Sequence, residues 1–267
     1  MEVAEDLETR AAAHRARVDA YVDPHLARRA EGAKHPVFDF LFTYYSFRPS
    51  QLRRWTPGYG LDPAVTDEHV AARRPLIESL HRLLTATAAR TPHFGCFGLH
   101  EWAMVYRLTE DQTRHADWPL RLGPAGTDQV VESHRIACSH FDAYRFFTTP
   151  ARPLNTLSPG RDDRPAFEQP ACFHAGMDLY KHAFRLWPLV SSDLVMDCFE
   201  LAWDIRVMDM RAAPYDLADL GFEPVRIETP EGKQEYVAAQ RAFADRAAPL
   251  RGRLIGECER LLRVRLS

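Results

Sequence analysis

Residues 191–211, SSDLVMDCFELAWDIRVMDMR, repeat with a helical period. Asp193, Asp197, Glu200 and Asp204 fall on one stripe, opposite a broad apolar surface that includes Leu194, Phe199, Leu201 and Ile205. A helix with so wide an apolar side has to be covered by other elements. Helical patterns recur over about 171–186 and 231–265, and Thr66 opens a helix running to Arg90, where TPHFG ends it. Residues 2–31, rich in Ala, Arg and Glu, read as one helix or as two with a break or restart at Pro24. CFGLHEWAMVYRL is apolar enough for a buried helix, whereas 118–142 stays open between helix and a small β-hairpin. Residues 148–170, with several prolines and little periodicity, read as a long loop or lid. The expectation is a mainly α chain, a single-domain helical bundle over residues 1–267.

A chain of 267 residues with 46% hydrophobic residues has enough apolar material for a substantial core. Its formal charge of −3 shows no global basic excess, so nucleic-acid binding would need a local basic patch. Of its 34 basic residues only Lys34, Lys181 and Lys233 are lysines, and guanidinium suits bidentate contacts to anions. The five cysteines are odd in number and widely spaced, and MEVAEDLE lacks the character of a signal peptide. A reducing, cytoplasmic location is expected, and no apolar run approaches the length of a membrane span.

The run KHPVFDFLFTYYSFRP, residues 34–49, is apolar and aromatic apart from His35 and Asp39. With Pro36 at a first helical position, His35 becomes a cap and Asp39 sits among Val37, Phe38, Phe40 and Leu41. A carboxylate in such a setting must be paired, coordinated or protonated. The ordinary partner is an arginine or a helix end; a metal is the other. His174 and Asp178 repeat the spacing beside Phe173, Met177, Tyr180 and Phe184, and His182 extends it by one turn. Glu101 lies in another apolar segment, where desolvation would raise its pKa and suit it to acid or base work. As a strand, ESHRIACSHFD would put Glu132, His134, Cys138, His140 and Asp142 on one face; as a helix the same residues scatter.

No P-loop lysine, G-x-G-x-x-G, G-x-S-x-G or H-E-x-x-H pattern is found, so no nucleotide cofactor is expected. The distribution of ionisable groups points to a metal-dependent helical enzyme acting on a small-molecule substrate. Its ligands would be drawn from His35, Asp39, His140, His174, Asp178, Glu200 and Asp204, with Glu101, Asp39 and Asp178 as catalytic carboxylates. Helical carboxylate and histidine ligands suit Fe, Mn or Zn, including a dinuclear Fe or Mn centre.

Taken together, HPVFDFLFTYYSFRPSQLRRW, CFGLHEWAMVYR, SHFDAYRFFT and MDCFELAWDIRVMDMRAAPYDL resemble a bacterial family labelled 3-methyladenine DNA glycosylase. The resemblance extends from about Asp23 to Arg251. It implies excision of alkylated purines from DNA, with the damaged base flipped into a pocket. Asp39 or Asp178 would then stabilise positive charge on the sugar, Tyr44, Tyr45, Trp55 or Trp102 would stack on the base, and RPSQLRRW would face phosphate. Core packing is the ordinary role of those aromatics. A third reading, a non-catalytic binding protein, makes all these ionisable groups structural ion pairs.

Overall fold

The computed structural model describes residues 2–113, 115 and 117–265, with side chains from residue 6 onward except that of residue 110. The fold is mainly α: 61% of it is helical and 2% strand, in eleven α-helices among the described residues. The long helices are α1 (Glu2–Ala30), α4 (Asp67–Ala89), α9 (Phe173–Leu186), α10 (Ser192–Ala212) and α11 (Pro230–Leu262). Shorter ones are α2 (Phe40–Thr43), α3 (Pro49–Leu52), α5 (Leu99–Ala103), α6 (Gly123–Ser133), α7 (Phe141–Tyr144) and α8 (Arg164–Phe167).

Local chemistry accounts for several boundaries. At the start of α4, His69 Nδ1 accepts the Thr66 amide at 3.2 Å, and Asp67 and Glu68 favour the positive end of the helix. The hydroxyl of Thr229 accepts the Gly232 amide at 3.1 Å, and Pro230 takes the first helical position of α11. The sequence allowed a break at Pro24, but α1 runs through it. Val22 and His25, both buried, hold the chain on either side, and the proline removes a single backbone donor. The buried helix expected in CFGLHEWAMVYRL is only the five residues of α5, because Phe97 and Gly98 before it and Arg107 after it take positive φ.

The hairpin alternative for 118–142 is replaced by α6 and an extended stretch. The only β pairing among the described residues is two isolated bridges, Leu120 with Tyr215 and Ile136 with Asn155. Asn155 takes the place of a strand neighbour: its Oδ1 accepts the Cys138 amide at 2.7 Å and its Nδ2 donates to the Cys138 carbonyl at 2.9 Å. Residues 148–170 contain a 3-10 turn at Arg152–Leu154 and α8, with Ala151, Asn155, Glu168 and Gln169 buried. No described helix is long and apolar enough to cross a membrane.

Contacts divide the chain into two compact units, and the borders fall inside α4, α9, α10 and α11. The first comprises Met1–Thr85, Met177–Asp204 and Pro249–Ser267. Its core holds a chain of rings, with Tyr45 against Tyr180 and Tyr180 against Phe199 at 5.6 and 5.1 Å. The second comprises Ala86–Gly176 and Ile205–Ala248. It centres on α5, all of whose residues are buried.

Candidate metal centre

In the second unit three elements bring His100, His174 and Asp209 together. The chain reaches α5 through consecutive left-handed residues, Phe97 at φ 48° and Gly98 at φ 70°. A side chain at Gly98 would sit 3.2 Å from the Tyr236 ring, so the approach needs both the conformation and the size of glycine. Trp102 anchors α5 by donating its indole N–H to the Ala212 carbonyl at 2.9 Å, at the end of α10. Asp209 lies on that same stretch of α10, and His174 is the second residue of α9.

One ligand atom from each of the three residues lies within 4.8 Å of the other two, the only such group of three among the described residues. The His100 and His174 rings are 4.6 Å apart and nearly perpendicular. Asp209 is fully buried and His100 almost so. His100 Nε2 is 3.1 Å from Asp209 Oδ1, and Arg206 Nη1 is 3.6 Å from Oδ2, yet no hydrogen bond forms at Nε2 or at either carboxylate oxygen. The atoms are close but not aligned as donor and acceptor. The carboxylate is held by the charges beside it and not by aligned hydrogen bonds, and a shared cation would act on it in the same way.

Burial by itself would raise the Asp209 carboxyl, but the charges of His100, His174 and Arg206 outweigh it and hold the group at about 2. Burial would lower His100; the Asp209 carboxylate beside it, with Cys96, overcomes this and raises it well above its ordinary value. Cys96 Sγ is 3.7 Å from His100 Nδ1, on the ring edge away from Asp209. Burial pushes the thiols of Cys138 and Cys172 and the Tyr236 phenol upward, so these groups keep their protons at neutral pH.

Two further polar groups belong to this unit. Glu101 accepts from Arg206 Nη1 at 3.2 Å, so the arginine bridges Glu101 and Asp209. His140, fully buried, sits with Nε2 3.3 Å from Glu168 Oε1, and Arg164 also pairs with Glu168. The His140 and His174 rings are 5.4 Å apart.

The remaining expected site residues lie in other settings. Asp39 has the ordinary partners: Oδ1 accepts from His25 at 2.9 Å and from Arg28 at 2.6 Å, and Oδ2 accepts the His35 amide at 2.8 Å. His35 Nδ1 caps the turn by accepting the Phe38 amide at 3.0 Å. Asp178 accepts from the Tyr45 hydroxyl at 3.1 Å and from Lys181 at 3.3 Å, and it is not one of the three clustered residues. Glu200 is bound by Arg17 Nη2 at 2.7 Å, and Asp204 is exposed. Neither joins the three-residue group. Of the four expected stacking aromatics, Tyr44 and Trp55 are half-buried while Tyr45 and Trp102 are in the core; Trp55 donates to Asp193 at 3.1 Å. Glu132 is exposed at the end of α6, so the single face of ligands in ESHRIACSHFD does not form.

Of the three clustered residues only His174 is among the ligands expected from the sequence; His100 and Asp209 are not. A signal for Asp209 was present. Ala202, Ile205, Asp209 and Ala212 follow one another at helical spacing and are all buried, which places the acid within the apolar stripe of α10. Comparisons with family models, with curated proteins and with solved structures find no match to this chain.

Proposed function

We propose that the protein is a metal-dependent enzyme acting on a small molecule, with one ion held by His100, His174 and Asp209. The observation that carries this reading is the convergence of two buried donors, His100 and Asp209, with the half-buried His174, where His100 Nε2 and both Asp209 oxygens lack aligned hydrogen bonds. Two imidazoles and one carboxylate suit Fe, Mn or Zn, and three protein ligands leave positions open for water or substrate, as catalytic sites do. When bound, such an ion supplies Lewis acidity and lowers the pKa of coordinated water.

The chain's own residues divide the supporting work. Asp209, already ionised, supplies the negative charge, and the Glu101–Arg206 pair restrains it from one side. Cys96 fixes the His100 ring through Nδ1, the outer contact that usually orients a metal-binding histidine. His140 and Glu168 form a buried pair able to hold or pass a proton near His174. The five free cysteines support a reducing compartment.

Metal analysis of the purified protein tests the proposal. Near-stoichiometric Fe, Mn or Zn, lost in His174→Ala and Asp209→Asn, is the expected result. Metal-free protein that excises 3-methyladenine from alkylated DNA, and loses this in Asp39→Asn, would establish the glycosylase reading instead. Metal-free protein with no turnover in either assay would favour a binding protein.

A further inference from the structure

Between the end of α1 and residues 42–53, within the first unit, lies an open cleft of about 590 Å³. Its lining includes Arg29, Arg48 and Arg53 but no acidic residue. Arg53 is neutralised by Asp19 at 2.7 Å and by Asp23. Arg28, next to the cleft in sequence, is spent on Asp39. Arg29 and Arg48, both exposed, have no acidic partner among the described residues. The cleft thus carries two uncompensated positive charges.

Ser46 and Ser50, both exposed, line the same cleft, and Leu26, Phe42 and Phe47 give it apolar walls. Guanidinium groups and hydroxyls are donors that match phosphate oxygens, and two free guanidiniums match the charge of a dianion. A volume of about 590 Å³ lies within the range of small-molecule sites, and the apolar walls need an apolar part of the ligand to cover them.

We propose that this cleft binds a small phosphate monoester with an apolar or aromatic body. The site is independent of His100, His174 and Asp209, and it stands whether or not those residues hold a metal.

The test is calorimetric titration of the full, chelator-treated chain with phenyl phosphate, inorganic phosphate and phenol. Phenyl phosphate is expected to bind saturably and more tightly than either fragment. The double variant Arg29→Ala/Arg48→Ala, whose side chains are exposed and support no part of the core, should weaken it at least about tenfold. Its circular dichroism should stay that of the parent, and Asp209→Asn should leave phenyl phosphate binding unchanged. The proposal is overturned if phenyl phosphate shows no saturable binding, or if the double variant binds it as the parent does. Binding of a single-stranded oligonucleotide without binding of phenyl phosphate would also overturn it, in favour of a nucleic-acid surface.

Discussion

Asp209→Asn keeps the shape of the side chain and removes its charge, so it separates a metal ligand from a structural ion pair. In metal-free protein the Asp209 carboxyl is held at about 2 against an ordinary 3.8. At 1.36 kcal/mol per unit, that difference is about 2 to 3 kcal/mol in favour of the charged form. The sign follows from the depressed value: this stability is present above the ordinary carboxylate pKa and is lost as pH falls through about 2. Losing it at neutral pH should lower the melting temperature by about 5–10 °C in a chain of this length. The second measurement is the response to metal. At an ion concentration about a hundredfold above Kd, the parent should gain about 2.7 kcal/mol, and a variant bound about a hundredfold more weakly only about 0.4 kcal/mol. Thermal melts of chelator-treated protein, with and without Zn, Mn or Fe, read both effects, and elemental analysis gives the stoichiometry. If Asp209→Asn keeps the parent's metal-dependent shift and its metal content, Asp209 is no ligand. If the parent shows no shift with any of the three ions, the cluster is a buried ion pair and the enzymatic proposal loses its foundation.

Because Asp209 raises His100 well above its ordinary value, the metal-free protein carries a proton there at pH 7 that binding must displace. Calorimetry in buffers of different ionisation heat should report release of about one proton per ion, declining as pH rises through the His100 value; buffer-independent heats would contradict this. Gly98→Ala forces a side chain into φ 70° and against Tyr236, so it should destabilise the chain by about 1–2 kcal/mol and weaken metal binding by displacing His100. Parent-like melting and parent-like metal affinity would show that the tight approach to α5 is not needed. Asp39→Asn should cost about 1–3 kcal/mol at pH 7 with metal content unchanged. Burial would raise this carboxyl, but His25, Arg28 and the His35 amide lower it, so its contribution is present above the ordinary 3.8 and lost as pH falls below that value. The stability gap between variant and parent should therefore close in acid; a gap of the same size at every pH would point to packing instead.

Helical class and most of the long helices were legible because periodicity is local: α4 begins beside Thr66, α11 follows Thr229, and α10 shows its two faces directly. The length of α5 was not legible, since the positive φ at Phe97 and Arg107 has no counterpart in their residue types. The site shows the same division. His174 stands out on an apolar helix, but i,i+4 spacing reveals only the neighbour on the same helix, while His100 and Asp209 come from distant parts of the chain. The acidic stripe from Asp193 to Asp204 was a poor guide, because Asp197 and Glu200 answer Arg17 and Asp204 faces solvent.

A single acid inside an apolar stripe is the better signal, and both Asp39 and Asp209 carry it. What separates them is how each oxygen is satisfied, which the sequence does not encode locally. The carboxylate of Asp39 is filled by an arginine, a histidine and a backbone amide, whereas Asp209, more deeply buried, receives no hydrogen bond at either oxygen. A carboxylate already saturated by donors has little left to offer an ion. One that is buried, ionised, without aligned hydrogen bonds and within 4.8 Å of two imidazole nitrogens still has lone pairs to offer a cation, which is why the metal proposal rests on Asp209 and not on Asp39.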